Sequence, residues 1–436
     1  MLPSWPTPRA VIGAIESQVL AGSRRLIALG SVAALVAGTA HAQGAPLSLA
    51  ETLKLAVAHS QQLVSQRAMV EASREMAVAG GELPDPKLKV GVENVPTDGP
   101  DAWSLTRDFM TMSKIGVMQE FPRAEKRKLK AERAERDAER GSVVVESTTL
   151  TVQRDAATAW LTRRYAADTE RVIAAQIAEA ELAVTTVTAA YRAGKAPQSE
   201  LIAAQSVVID LRNRATDAVA QSRRARIALA RYIGADAERP PGETPDFARL
   251  PDDASLADID AQPELKLARA QESIAATEAQ IAGAAKLPDW SAEVSYAFRG
   301  SPYSNMVSLM FSIDLPWSPG TRQDREHAAK LKELDAARAM REDARRMRSA
   351  EVRSMLIEWQ SARAQAQRIR TELLPLTVQR REAALAAYRG GTGALAAVLD
   401  ARRAELDAEL ALIAQEQSVA KAWAFLNFVV PGKEGS

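Results

Sequence analysis

Strict alternation of apolar and polar residues marks three short segments of the chain, and a fourth follows it less cleanly. Apolar residues occupy the even positions of 87–93 and of 290–299, and the odd positions of 307–315. In 113–121 the pattern is broken by Met118. Alternation with a period of two predicts strands with one apolar and one polar face. Turn-rich stretches at 96–100 and 300–305 join the members of each pair, so we expect two β-hairpins.

Two long stretches, 124–193 and 321–388, predict helices of unusual length, since they hold between them only Pro375 as a proline. About 68 residues of unbroken helix would span roughly 100 Å. Apolar residues recur in both at spacings of three and four, which predicts coiled-coil seams. The seams are Ile173, Ile177, Ala180, Val184, Val187 and Tyr191, and Val352, Leu356, Trp359, Ala362, Ala366, Ile369, Leu373 and Leu376.

Each long helix ends at a Tyr-Arg-x-Gly turn, and a returning helix is predicted after it, over about 198–233 and 394–429. Gly194 and Gly391 suit the left-handed residue that closes a helix. Each half of the chain is therefore expected to form a long helical hairpin.

The two halves repeat one another. The tip sequences 190–194 and 201–205 return at 387–391 and 398–402 with a constant offset, and a Leu-Pro-Asp precedes each strand pair. A duplicated unit of about 200 residues is the simplest explanation. The predicted divisions are a leader at 1–42, a first repeat at 43–234 with β-hairpin 86–121 and helical hairpin 124–233, a proline-rich surface linker at 235–262, a second repeat at 263–430 with β-hairpin 288–316 and helical hairpin 321–429, and a tail at 431–436.

The N-terminal segment has the three parts of a secretory leader: Arg24 and Arg25, an apolar stretch, and an Ala-x-Ala ending at Ala42. The predicted mature chain is close to neutral, which argues against a nucleic-acid partner. The absence of cysteine excludes disulfides, thiolate metal sites and an N-terminal lipid-modified cysteine. No apolar run after the leader reaches the length of a membrane helix, so any span is expected to use strands.

The alternating segments have two interpretations. They could form a half-buried soluble sheet, or strands of about 10 residues with apolar side chains toward lipid. Four strands cannot close on themselves, and open sheet edges are not stable in hydrocarbon. Insertion would therefore require several copies, with eight strands from a dimer or twelve from a trimer.

The leader, the two repeats of strand pair and helical hairpin, and the repeated Ala-Tyr-Arg-x-Gly turn together resemble the TolC-like outer membrane efflux proteins. The resemblance implies a mainly α fold with a small β part: a trimeric α-helical barrel of coiled-coil hairpins and a 12-stranded transmembrane β-barrel, four strands per protomer. It implies a passive exit duct in the outer membrane of a Gram-negative cell, which works with an inner-membrane pump and a periplasmic adaptor. The sequence 84–94 looks more like the heavy-metal efflux branch, so heavy-metal cations are an expected cargo.

The same resemblance assigns roles to residues near the two tips. Asp400 matches the family's acidic ring at the closed periplasmic end, and Glu200 holds the related place in the first repeat. Residues implied in adaptor docking are Tyr191, Arg192, Gly194, Tyr388, Arg389, Gly390 and Gly391. Taken without the resemblance, Asp400 and Glu200 would be read as solvated helix faces and the glycines as simple helix caps.

Catalysis has almost no support, because the predicted mature chain has two histidines, no cysteine and no phosphate-binding or metalloprotease motif. No cofactor or metal site is expected. Two other functions remain open: an exit channel for type I protein secretion, and a periplasmic coiled-coil adaptor that never inserts in a membrane.

Overall fold

The computed structural model describes residues 45–250, 256, 258–300 and 303–428. The predicted leader and tail lie outside these residues. The described residues form one compact unit. Its helices are α1 Leu49–His59, α2 Gln61–Gly81, α3 Ala124–Arg192, α4 Gln198–Ile233, α5 Pro263–Ala284, α6 Gln323–Arg368, α7 Leu374–Arg389 and α8 Leu395–Asn427. Its strands are β1 Lys87–Glu93, β2 Met112–Phe121, β3 Trp290–Arg299 and β4 Met306–Ile313.

The four strands form one antiparallel sheet in the order β1-β2-β3-β4. Both predicted hairpins are confirmed, and β2 and β3 join them into a single sheet. Helices continue this order directly next to the sheet: α2 packs on α3, α3 on α5 and α5 on α6. Toward the tips, α4 packs on α3, α3 on α8, and α8 on α6 and α7.

The first long helix is confirmed as one element, α3, of 69 residues. Its seam residues Ile173, Ala180 and Val187 are buried, and the last two pack in clusters with α4 and α8, whereas Tyr191 at the tip is exposed.

The second long helix departs from the prediction. A five-residue π-helical segment, Ile369–Leu373, separates α6 from α7. Pro375 is the physical reason, since it has no N–H to donate and its ring collides with the carbonyl four residues earlier. A π segment holds one extra residue per turn and therefore rotates the helix that follows. Leu376 of the predicted seam is consequently exposed, while Thr377 is 8% exposed and faces α8.

Tryptophan side chains fasten the chain segments that lie outside the helical hairpins. The indole N–H of Trp160 on α3 donates to the carbonyl of Leu47 at 3.0 Å, and that of Trp423 on α8 donates to Arg249 at 2.8 Å. The proline-rich segment was predicted to be a surface connector, but its Leu256 is buried in a cluster with α6 and α8. This segment is therefore partly buried, because its apolar residues pack into that cluster.

Candidate functional site

The central strand β3 has its apolar aromatic and aliphatic side chains exposed and its polar side chains buried or half-buried. On β3, Val294 is 54% exposed and Phe298 is 52% exposed, whereas Glu293 is 8% and Ser295 is 4% exposed. In a soluble sheet the apolar side would pack on a core and the polar side would face water. The arrangement is inverted here, so the solvent that suits this surface is apolar.

Strand register places the apolar residues of all four strands on the same side of the sheet. Val90, Ile115, Tyr296 and Val307 stand in one row, and the row beside it holds Leu88, Val117, Val294 and Leu309. Residues directly opposite one another in antiparallel strands point to the same side. We call this side the apolar face, made of Leu88, Val90, Val92, Ile115, Val117, Phe121, Trp290, Val294, Tyr296, Phe298, Val307, Leu309, Phe311 and Ile313.

Aromatic rings stand at both ends of the apolar face. Trp290 stacks on Phe121 with ring centroids 4.2 Å apart beside the helices, and Tyr296 meets Phe298 edge to face at 4.7 Å near the far end. The eight steps from Trp290 to Phe298 span about 27 Å at roughly 3.4 Å per residue. Membrane barrels carry an apolar band about 25 Å tall between two aromatic girdles, and this face has that height and those borders.

The opposite side, the charged face, neutralises itself. Glu293 accepts a hydrogen bond from Lys89 at 2.7 Å and lies 3.4 Å from Lys114, which in turn lies 3.3 Å from Glu93. Four methionines of the strands, Met112, Met118, Met306 and Met310, share this face by register. Its charges are thus paired across strands, and the face is polar without a large net field.

Both edges of the unit are unfinished. Among the residues that the structure describes, β1 and β4 each pair with a single neighbouring strand. The helices next to them are also exposed along one side: α2 shows Met69 and Met76, and α6 shows Met340 and Met347. Each pair has a spacing of seven residues, which is the repeat of a coiled-coil seam.

At the other end of the hairpins, two helical tips are built alike. Gly194 and Gly391 have φ of 72° and 71°, the left-handed region that favours glycine. In each tip the N–H after that glycine donates to a carbonyl five residues earlier, from Lys195 to Ala190 and from Thr392 to Ala387. These are the bonds of a Schellman cap. Tip residues Arg192, Arg389 and Gly390 are exposed.

One side-chain bond ties the two tips together. The Tyr388 hydroxyl donates to the Glu200 carboxylate at 3.3 Å, although the two residues are 188 positions apart. Partial burial, and then the negative charge of Glu200, raise the pKa of Tyr388, so the phenol remains a donor at physiological pH. Asp400 differs from Glu200: it is exposed on α8 and makes no ion pair within the described part of the chain.

Comparisons with known proteins agree with this geometry. Residues 259–430 match the family model of the outer membrane efflux proteins. The match covers the second repeat, from the end of the linker to just past α8, so this part of the chain is similar to that family.

The fold of most of the chain is similar to that of solved outer membrane channels. VceC, an outer membrane protein of Vibrio cholerae, is 17% identical over 88% of this chain and 97% of its own, with a TM-score of 0.71. The CmeC outer membrane channel of Campylobacter jejuni is 13% identical over 87% and 85%, with a TM-score of 0.69. The MtrE outer membrane channel of Neisseria gonorrhoeae, in its open state, is 18% identical over 87% and 88%, with a TM-score of 0.62. No curated protein matches by sequence.

The matched family model describes efflux proteins rather than enzymes. Within 45–250, 256, 258–300 and 303–428, no group of three or more His, Cys, Asp and Glu residues could hold a metal ion. One expectation needs correction: by length and composition alone, α3 contains a stretch apolar enough to cross a membrane. Within the described part of the chain, 17% of that stretch is buried.

Sequence reasoning missed a pair of carboxylates on α8. Glu405 is buried and accepts a hydrogen bond from Arg381 at 2.9 Å, and Glu409 follows one turn later. Burial raises the pKa of Glu405, which Arg381 partly opposes. Burial and the neighbouring Glu405 raise the pKa of Glu409. Acids four residues apart in a helix look like surface residues, and only the packing of α3 and α7 over them reveals the burial.

Proposed function

We propose that three copies of this chain form a passive exit duct across the outer membrane, with a 12-stranded barrel in the lipid and a helical tube below it. The apolar face carries the proposal. It is continuous over four strands and has the height of a bilayer core. The opposite side of the sheet is polar and would face a water-filled bore. The folds of VceC, CmeC and MtrE support the same arrangement.

Closure by several copies follows from the two unfinished edges. In hydrocarbon each unpaired backbone donor or acceptor costs several kcal/mol, so β1 of one copy must pair with β4 of the next. The helices would associate in the same way, because the exposed seam of α6 of one copy would meet the exposed seam of α2 of the next. Eight strands from a dimer would leave an interior filled by side chains, while twelve leave room for a channel.

We infer that the tips form the closed periplasmic end. The Tyr388–Glu200 bond would hold the two hairpins of one protomer together there. Three copies of Asp400 near the axis would form an acidic constriction whose mutual repulsion opposes closure. The exposed tip residues Arg192 and Arg389 are the proposed docking points for a periplasmic adaptor that links the duct to an inner-membrane pump.

The type I secretion alternative shares this fold, and no contact in the described residues favours it. The adaptor alternative fits less well, because the fold comparisons over nearly the full chain are with outer membrane channels. The heavy-metal cargo remains a prediction from the sequence.

Reconstitution tests the duct. Protein extracted from outer membranes should run as a trimer and should conduct ions in a planar bilayer. Recovery in the soluble periplasmic fraction, or a monomer without conductance, would contradict the proposal.

The gate is tested separately by substitution in the assembled trimer. Asp400→Ser should raise single-channel conductance, because it removes the charge of the constriction. Asp217→Ser, an equally exposed acid on α4, is the matched control and should leave conductance unchanged. Equal conductance of wild type and Asp400→Ser would remove Asp400 from the gate.

A further inference from the structure

A cleft of about 340 Å³ lies between the two helical hairpins, a few turns from the tips. Its floor is α3, and its walls are α4 and α8, which both pack on α3 and barely touch each other. The floor contributes Ala180 and Ala183, whose small side chains leave the space open. Ligand sites in proteins start at about this volume and are typically apolar with a few polar groups.

The cleft differs from the surface that a neighbouring copy would cover. The exposed apolar residues of α4, Ile202 and Ile209, are seven positions apart and lie on one side of the helix. Val207 and Leu211, which line the cleft, lie about 150–170° away around the helix at 100° per residue. A copy docked on Ile202 and Ile209 would therefore leave the cleft free.

Ion pairs connect the elements around the cleft but leave some donors unused. Arg214 on α4 donates to Asp407 on α8 at 3.0 Å and so joins the two walls. Arg402, also on α8, reaches the backbone carbonyl of Glu179 on α3 at 3.4 Å, but its Nε–H is buried without an acceptor. Arg403 is exposed in the cleft and has no carboxylate partner among the described residues.

We propose that this cleft binds an amphipathic monoanion, with its apolar body on α3 and its acidic head between Arg402 and Arg403. An unpaired guanidinium and a buried N–H without a partner both call for an anionic acceptor, and such hydrogen bonds are the strong ones. Two carboxylates also line the cleft: Asp210 is paired with Arg214 at 3.2 Å, and Asp400 lies about 60° from Arg403 around α8, so the head group is expected on the Arg402 side of Arg403. A ligand that contacts α4 and α8 together would hold the two hairpins in their present relation.

Two dyes with one skeleton test the charge requirement: 8-anilinonaphthalene-1-sulfonate, and N-phenyl-1-naphthylamine, which lacks the sulfonate. Both are titrated by fluorescence into the full-length assembly in nanodiscs. The sulfonate dye should bind more tightly, and Arg403→Gln should weaken it about tenfold or more. The neutral dye should hardly change. Arg223→Gln, an exposed arginine of α4 outside the cleft, is the matched control.

A second variant tests the place. Ala183→Leu fills the floor and should abolish binding of both dyes, whereas Ala178→Leu, on the opposite side of α3, should not. Equal affinity of the two dyes with no effect of Arg403→Gln would overturn the proposed chemistry. Unchanged binding in a correctly assembled Ala183→Leu trimer would overturn the location. If that variant instead lost export while the dyes still bound, the cleft would be a groove for a partner helix and the proposal would be wrong.

Dye binding to the cleft does not depend on the proposed duct function. Only the inference that a bound ligand would hold the two hairpins together, and so affect channel opening, rests on it. Dye binding is measured without conduction, and conductance is measured without the dye, so failure of one leaves the other standing. Asp400→Ser separates them further, because it should raise conductance and should not weaken the sulfonate dye.

Discussion

A lysine placed on the apolar face should be far more costly than one placed on the charged face one residue away. Leu309 lies midway along β4 and is 61% exposed in the single chain. Lysine at the middle of a bilayer costs a membrane barrel about 2–4 kcal/mol. Three copies would bring the cost of Leu309→Lys to about 6–12 kcal/mol for the assembly. If the face were in water, the same change at so exposed a position would stay within about 0.5 kcal/mol.

Ser308→Lys is the matched comparison, since Ser308 stands beside Leu309 and points to the other side of the sheet. We would measure the yield of assembled protein in outer membranes, and then its unfolding by urea in liposomes. Leu309→Lys should sharply reduce both the yield and the unfolding midpoint, and Ser308→Lys should come close to wild type. Equal behaviour of the two variants would refute the assignment of the apolar face to lipid.

Three further predictions concern the helical part. Tyr388→Phe removes the bond to Glu200 and should weaken closure by about 1 kcal/mol, measured as a higher open fraction in single-channel records; an unchanged open fraction would exclude the bond from closure. The pKa of Glu409 is raised in the folded protein, so ionisation of its carboxyl opposes folding of the tip as pH rises through that pKa. Below the ordinary pKa of a glutamate the carboxyl is protonated in the folded and unfolded states alike, and this loss of stability is absent. Glu409→Gln should therefore stabilise the tip at neutral pH and flatten the pH dependence, measured by amide hydrogen exchange in α8. Trp160→Phe removes one of the two donors to the carbonyl of Leu47, which still accepts from the N–H of Gly242, and should cost about 0.5–1.5 kcal/mol, read from the unfolding midpoint.

Strands and hairpins were predictable because their signal is local. Each strand with one wholly apolar face shows alternation in its sequence. The register between strands then places these apolar faces on the same side of the sheet. Met118, which breaks the alternation, lies on the charged face beside Glu293. A thioether is flexible and polarisable, and it is tolerated where valine or leucine would be out of place.

Residues that act through long-range contacts were not predictable. The bond from Tyr388 to Glu200 needs both tips at the same height, which follows only from the equal length of two hairpins. The exposure of Leu376 depends on a rotation introduced by the π segment before it. A prediction from periodicity assumes a regular α-helix throughout. It therefore assigns residues that follow a π segment to the wrong face of the helix.

The apolar face in lipid is the central claim, and the natural absence of cysteine allows a direct measurement of it. Single cysteines at Val294 and Leu309 on one face, and at Ser291 and Ser308 on the other, can be treated in intact outer membranes with a charged, membrane-impermeant maleimide. The account predicts labelling at Ser291 and Ser308 and none at Val294 and Leu309. Labelling of both faces alike, or of the apolar face alone, would contradict it.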